Sequence, residues 1–170
     1  MATGRTLPMY APCFICGGKN ACGAQMAWSQ SGEGVEGRTR GAERHCGFEG
    51  ILHGGVIAGL LDECAGWAAA LRCRAMCFTG ELKVRYLRPV PTGHELVIRG
   101  TCRDDAQDGR KYVVASAEIA GADGTPYATC EGKFFPMPPH LGSAVLAKLE
   151  LPAGAAAESV ADYLWRPQAT

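Results

Sequence analysis

The chain has no excess charge of either sign: 17 Lys and Arg are offset by 17 Asp and Glu, giving a formal net charge of zero over 170 residues. A balanced chain lacks the electrostatic footprint of a nucleic-acid binder or of a protein held on an anionic membrane. A local cluster of cations for a phosphorylated small molecule is still compatible with it. The opening Met1-Ala2-Thr3-Gly4-Arg5-Thr6-Leu7-Pro8 has no apolar run of the secretory kind. No stretch reads as long and clean enough to span a bilayer, so a cytoplasmic protein is expected. There is no internal repeat. The length suits one domain with a sizeable core and little of a second. A hydrophobic content of 47% sets the chain among globular rather than disordered sequences.

Cysteine, by contrast, is plentiful and odd in number, with nine residues. In a reducing compartment these are thiols. Cys64, Cys102 and Cys130 fall inside apolar patterns, where cysteine acts as a small hydrophobe. Cys13, Cys16 and Cys22 crowd the N-terminal segment, and Cys-x-x-Cys is a zinc-knuckle spacing. No second pair follows, and only Cys46 or His45 is at hand as a fourth ligand. The reading taken is therefore of thiols that shape a loop, with no metal and no cofactor.

Periodicity divides the chain into an arm and Cys/Gly-rich lead-in (1–23), a folded unit (24–137) and an Ala-rich tail (138–170) that is partly helical. Two strands are expected over 24–31 and 33–41, around Ser31-Gly32-Glu33-Gly34. A loop over 45–50 feeds a helix from Gly54 to Arg72, in which Val56, Ile57, Leu60, Leu61, Cys64, Trp67, Ala68 and Leu71 recur at three- and four-residue steps. Strands follow over 79–88, 95–104, 110–120 and 127–137. In the first, Leu82, Val84 and Tyr86 alternate with Glu81, Lys83 and Arg85. Short links make these strands antiparallel neighbours. The tail carries a weak amphipathic pattern over 141–149. The expected class is α+β, a long central helix wrapped by a curved antiparallel sheet of five or six strands. The open sheet edges invite pairing with a second copy.

The segment richest in chemistry is Gly50-Ile51-Leu52-His53-Gly54-Gly55-Val56, which runs into Leu60-Leu61-Asp62-Glu63. The turn offers backbone N–H groups at a helix start, where the dipole favours negative charge. Asp62 and Glu63 interrupt an apolar run two to three turns deeper, and burial there should raise a carboxyl pKa. The two lie about 100° apart on the helix and cannot serve one site equally.

Four motifs in order resemble the hotdog-fold acyl-CoA thioesterases of the PaaI-like group, over roughly residues 13–137. They are Cys13-Phe14-Ile15-Cys16-Gly17 with Asn20 and Gly23; His45-x-Gly47-Phe48-x-Gly50 through His53-Gly54-Gly55 and Asp62; Thr79-x-Glu81-Leu82-x-Val84-x-Tyr86-x-Arg88-Pro89; and Gly132-x-Phe134-Phe135. The resemblance implies that the Gly54 N–H polarises a thioester carbonyl, and that Gly55 helps the acyl group approach. It further implies that Asp62 acts as general base or nucleophile and that Thr79 holds the attacking water. Each site is then shared by the turn of one subunit and the carboxylate of another, in a homodimer or homotetramer. His53 either steadies the turn through its ring or touches substrate. Relatives carry Asn or Gln where this chain has Gly47, and His45 is the residue expected to replace it. Arg85, Arg88, Arg110 and Lys111 are the candidates for CoA phosphates. Glu63 is expected to meet a strand Lys or Arg, or a subunit contact. The implied reaction is hydrolysis of an acyl-CoA or acyl-carrier-protein thioester. The alternatives are a non-catalytic acyl-CoA-binding protein and a hotdog dehydratase.

Overall fold

The computed structural model describes residues 4–103 and 111–165. The elements in chain order are β1 (Trp28–Ser31), β2 (Gly34–Arg40), a short 3-10 turn (Glu43–His45), β3 (Cys46–Phe48), β4 (Ile51–Leu52), α1 (Gly54–Cys73), β5 (Cys77–Tyr86), β6 (Glu95–Cys102), β7 (Val113–Gly121), β8 (Pro126–Pro136), α2 (Pro139–Leu146) and α3 (Val160–Trp165). Six strands form one antiparallel sheet in the order β1-β2-β6-β7-β8-β5. The remaining two, β3 and β4, form a small separate hairpin where the sequence pattern indicated only a loop. Strands of three and two residues are too short to leave a period-two signal.

α1 packs against β6, β7 and β8. It has few large side chains, so strand and helix backbones come close together. Cys64, Ala65, Ala68 and Ala69 are fully buried, and a Cβ on Gly100 of β6 would lie 2.9 Å from the Cys64 carbonyl oxygen. α1 ends at Arg74 in the left-handed region (φ 52), whose N–H reaches the Ala70 carbonyl. One sequence expectation needs correcting. α1 is long and apolar enough, by length and composition, to cross a bilayer, yet half of it is buried within the fold against the sheet.

Among the described residues β5 forms one edge of the sheet, hydrogen-bonded to β8 alone. Its register slips between Thr79 and Glu81, a bulge at Gly80. There a Cβ would come within 2.3 Å of the Phe135 ring, so glycine permits the irregularity. A bulge changes which face a side chain addresses. Thr79 pairs with the inward-facing, fully buried Phe134, and Leu82 packs on the core although it is three residues further along. The lead-in is not a loose arm: Leu7, Ile15 and Cys16 are buried in the core, and Met9 bridges to Glu150 of the tail.

Candidate active site

α1 lines two separate cavities, one at its middle and one at its start. The first, of about 600 Å³, is lined by Asp62, Glu63 and Trp67 of α1, by Cys77 and Thr79 of β5, and by Tyr10, Cys13 and Ile15 of the lead-in. Val145, Lys148 and Leu149 of the tail complete its wall. The second, also about 600 Å³, is lined by Gly47, Phe48, His53, Gly54, Tyr86 and Arg88 among others. That lead-in and tail wall the first cavity was not legible in the sequence, because nothing local records a contact between segments so far apart in the chain.

In the first cavity, the Thr79 hydroxyl donates to Asp62 Oδ1 at 2.9 Å. Asp62 is half-buried, and burial holds its carboxyl above the usual carboxylate range. The Thr79 hydrogen bond pulls the other way by favouring the charged form. Glu63, one residue on, turns elsewhere. Its Oε1 accepts from Trp28 Nε1 at 3.0 Å and its Oε2 from the Cys13 thiol at 3.3 Å. The expectation that Glu63 meets a strand Lys or Arg is thus corrected: a lead-in thiol and a β1 indole occupy it.

At the second cavity, His53 is the N-cap of α1, and its Nδ1 accepts the Gly55 N–H at 2.9 Å. That leaves the proton of a neutral ring on Nε2. The ring therefore acts as an acceptor toward the turn, and the Gly55 N–H is spent within the chain. The Gly54 N–H has no acceptor among the described residues, as expected for the first residue of a helix. Replacing His53 by Ala should cost about 1 kcal/mol of stability through loss of the cap, and His53→Asn should restore most of it, as measured by urea unfolding.

Tyr86 was not given a role by the sequence. Its hydroxyl donates to the Gly54 carbonyl at 2.9 Å and ties the end of β5 to the helix start. Gly47 lines the same cavity, but a Cβ there would sit 3.1 Å from His53 Cα. That close approach favours glycine at this position. The idea that His45 substitutes for that side chain is corrected. Its ring is buried and its Nε2 lies 2.9 Å from the Cys22 carbonyl, which satisfies it within the lead-in. His45 lines neither of these two cavities.

The four cations separate. Arg88 lines the second cavity, with Nη1 on the Pro126 carbonyl at 2.7 Å. Arg85 lies with Lys83 along the outer face of the sheet, away from both cavities, because Leu82 and Val84 take the inward positions. Lys111 is exposed before β7 and lines neither cavity. Arg110 lies outside the described residues.

The two halves lie too far apart to act together within one chain. Gly54 and Asp62 are eight residues apart on α1, or about 12 Å at 1.5 Å per residue. A water attacking a carbonyl must lie within hydrogen-bond reach of its base, and the carbonyl oxygen within about 3 Å of its donor.

Comparison with known proteins supplies the family context. A sequence profile described as the thioesterase superfamily matches residues 49–124, the span from just before the His-Gly-Gly turn to the β7–β8 turn. A solved thioesterase superfamily protein, RHA08564, is 30% identical with a TM-score of 0.65; the match covers 72% of this chain and 62% of that one. This chain thus spans somewhat under two thirds of that relative. A hypothetical thioesterase from Streptococcus pneumoniae TIGR4, solved with coenzyme A, is 21% identical over 61% of this chain and 80% of its own, with a TM-score of 0.54. The protein smu.793 from Streptococcus mutans UA159, solved with acetyl CoA, is 23% identical over the same shares, with a TM-score of 0.53. At these identities the two streptococcal proteins speak to the fold. No curated protein matches the chain.

Proposed function

We propose that this thioesterase-superfamily chain, a hotdog fold built on α1, hydrolyses an acyl-CoA thioester to the free acid and the thiol, at sites shared between two copies of itself. The observation that carries the reading is Asp62: a half-buried carboxylate with a raised pKa, held by Thr79, lining a cavity large enough for an acyl group. A carboxylate shifted toward neutrality is a stronger base for water.

The second copy follows from the edge strand. Phe78, Tyr86 and Leu87 are each about half exposed in and beside β5, at 49%, 54% and 49%, and Phe48 is 78% exposed. An unpaired edge flanked by apolar side chains favours strand addition. Antiparallel pairing of two β5 strands brings the Thr79 end of one copy toward the Tyr86 end of the other. Since Thr79 holds Asp62 and Tyr86 holds Gly54, the pairing joins the base of one copy to the helix start of the other.

In the joined site the partner's Gly54 N–H polarises the thioester carbonyl. Asp62 takes a proton from water as the water oxygen bonds to the carbonyl carbon. The C–S bond then breaks, and the proton passes from Asp62 to the departing sulfur. Arg88 beside the Gly54 cavity is the cation best sited for a CoA phosphate. A thiol-release assay over an acyl-CoA panel tests the proposal, with steady release of free thiol expected for at least one member. A protein that binds without turnover is the second reading, favoured by the absence of a water-orienting side chain at Gly47; saturable binding with no thiol release would select it.

Thr79→Val should move the acidic limb of the kcat/KM profile to higher pH. The hydroxyl favours the ionised form of Asp62, so its loss lets desolvation raise the pKa further, and the active base is lost earlier as pH falls. An unshifted limb would separate Thr79 from the base.

A further inference from the structure

Beside the Asp62 cavity lies a group of side chains that the hydrolysis does not use. Cys13 and Cys16 of the lead-in and Glu63 of α1 bring two sulfurs and a carboxylate oxygen within 4.8 Å of one another. We propose that this trio is a binding site for a thiophilic divalent cation of the zinc class, tying the lead-in to the central helix at the cavity wall.

The spacing fits the ion. Zinc–sulfur bonds of about 2.3 Å in tetrahedral geometry put neighbouring ligand atoms roughly 3.5–4 Å apart. Cys13 Sγ and Glu63 Oε2 are already 3.3 Å apart, joined by the thiol proton that a cation would displace. The supporting contacts are also in place. Trp28 Nε1 holds Glu63 Oε1, which fixes the carboxylate and leaves Oε2 toward the sulfurs. Such outer contacts orient ligands and tune affinity. The Ile15 N–H donates to Cys13 Sγ at 3.3 Å, a contact that stabilises a thiolate. Gly17, after Cys16, has no room for a Cβ: one there would lie 2.3 Å from the Cys13 carbonyl oxygen, so the Cys-x-x-Cys-Gly turn closes tightly.

The charge of Glu63 is otherwise unpaired among the described residues, although Lys148 lines the same cavity. A divalent cation would supply the missing positive charge, and its binding would release the two thiol protons. Three protein ligands leave a four-coordinate ion one open position. Cys22 and Cys46 are exposed and stand outside the trio, so the wider ligand sets considered from sequence reduce to these three residues.

The test is a titration of the reduced full chain with Zn²⁺ against a chromophoric chelator, repeated with Co²⁺ to read sulfur ligation by its charge-transfer absorption. One ion per chain, release of about two protons per zinc in weak buffer, and a thiolate–cobalt band are expected. Cys13→Ser and Glu63→Gln should each weaken binding more than the roughly 100-fold reached by changes to outer contacts. Cys22→Ser and Cys46→Ser should bind as the parent does. Circular dichroism of each metal-free variant identifies any that fails to fold, and the parent titration stands whether or not one does. Folded parent protein that takes up no zinc, or a folded Cys13→Ser variant that binds with parental affinity and an unchanged cobalt spectrum, would overturn the site. Thiol release is not a readout here, so the outcome is separate from that of the proposed hydrolysis.

Discussion

Asp62→Asn is expected to lower thiol release by about 10²–10⁴-fold, the usual contribution of a positioned general base, and at the same time to raise the melting temperature at neutral pH. The two effects have one cause. Burial lifts the carboxyl pKa in the folded chain above its value in the unfolded chain. Ionised Asp62 therefore costs stability above the folded pKa, and that cost disappears as pH falls through it. The neutral amide escapes the cost at pH 7, and its carbonyl oxygen can still accept from Thr79. Turnover and thermal unfolding of the same preparation check both halves. A variant that loses neither activity nor gains stability would place Asp62 among ordinary surface carboxylates.

Gly54→Pro is expected to cost about 10²–10³-fold in turnover, the scale of one lost oxyanion donor, with little change in fold. The position is unusually suited to the substitution. Gly54 is the first residue of α1, where proline is well tolerated because its N–H has no helical partner. The preceding His53 already has the extended backbone that a residue before proline prefers, at φ −63 and ψ 136. Both helix bonds to the His53 carbonyl, from Val56 and Ile57, survive. Gly54→Ala is the control: its Cβ would meet the Tyr86 hydroxyl at 3.5 Å, an ordinary contact, and its N–H remains. Loss in Pro with retention in Ala isolates the N–H as the active element. Equal loss in both would point to space rather than to hydrogen bonding.

Much of this arrangement was legible in the sequence wherever the signal was local and periodic. The helix expected over 54–72 ends one residue later, at Cys73. The four later strands fall within two or three residues of their expected bounds because each alternates cleanly. The alternation of Leu82 and Val84 with Lys83 and Arg85 also sends Arg85 to the outer face, against its assignment to a phosphate site. What escaped was non-local or irregular. The bulge at Gly80 exists because of the Phe135 ring on the neighbouring strand, and it sets the face that Thr79 addresses. Glu63 finds partners 35 and 50 residues away, which no spacing rule along the helix could supply. His45 turns toward Cys22 for the same reason.

The shared site is tested most directly by mixing the two defective variants. Asp62→Asn supplies an intact helix start and Gly54→Pro an intact base, so a mixed dimer holds one complete site out of two. Subunit exchange between the two inactive variants should restore turnover to about a quarter of the specific activity of the unsubstituted protein: half of randomly paired dimers are mixed, and each has one working site. Activity that stays at the level of the separate variants, in mixtures where exchange is verified by mass, would contradict a site built from two chains.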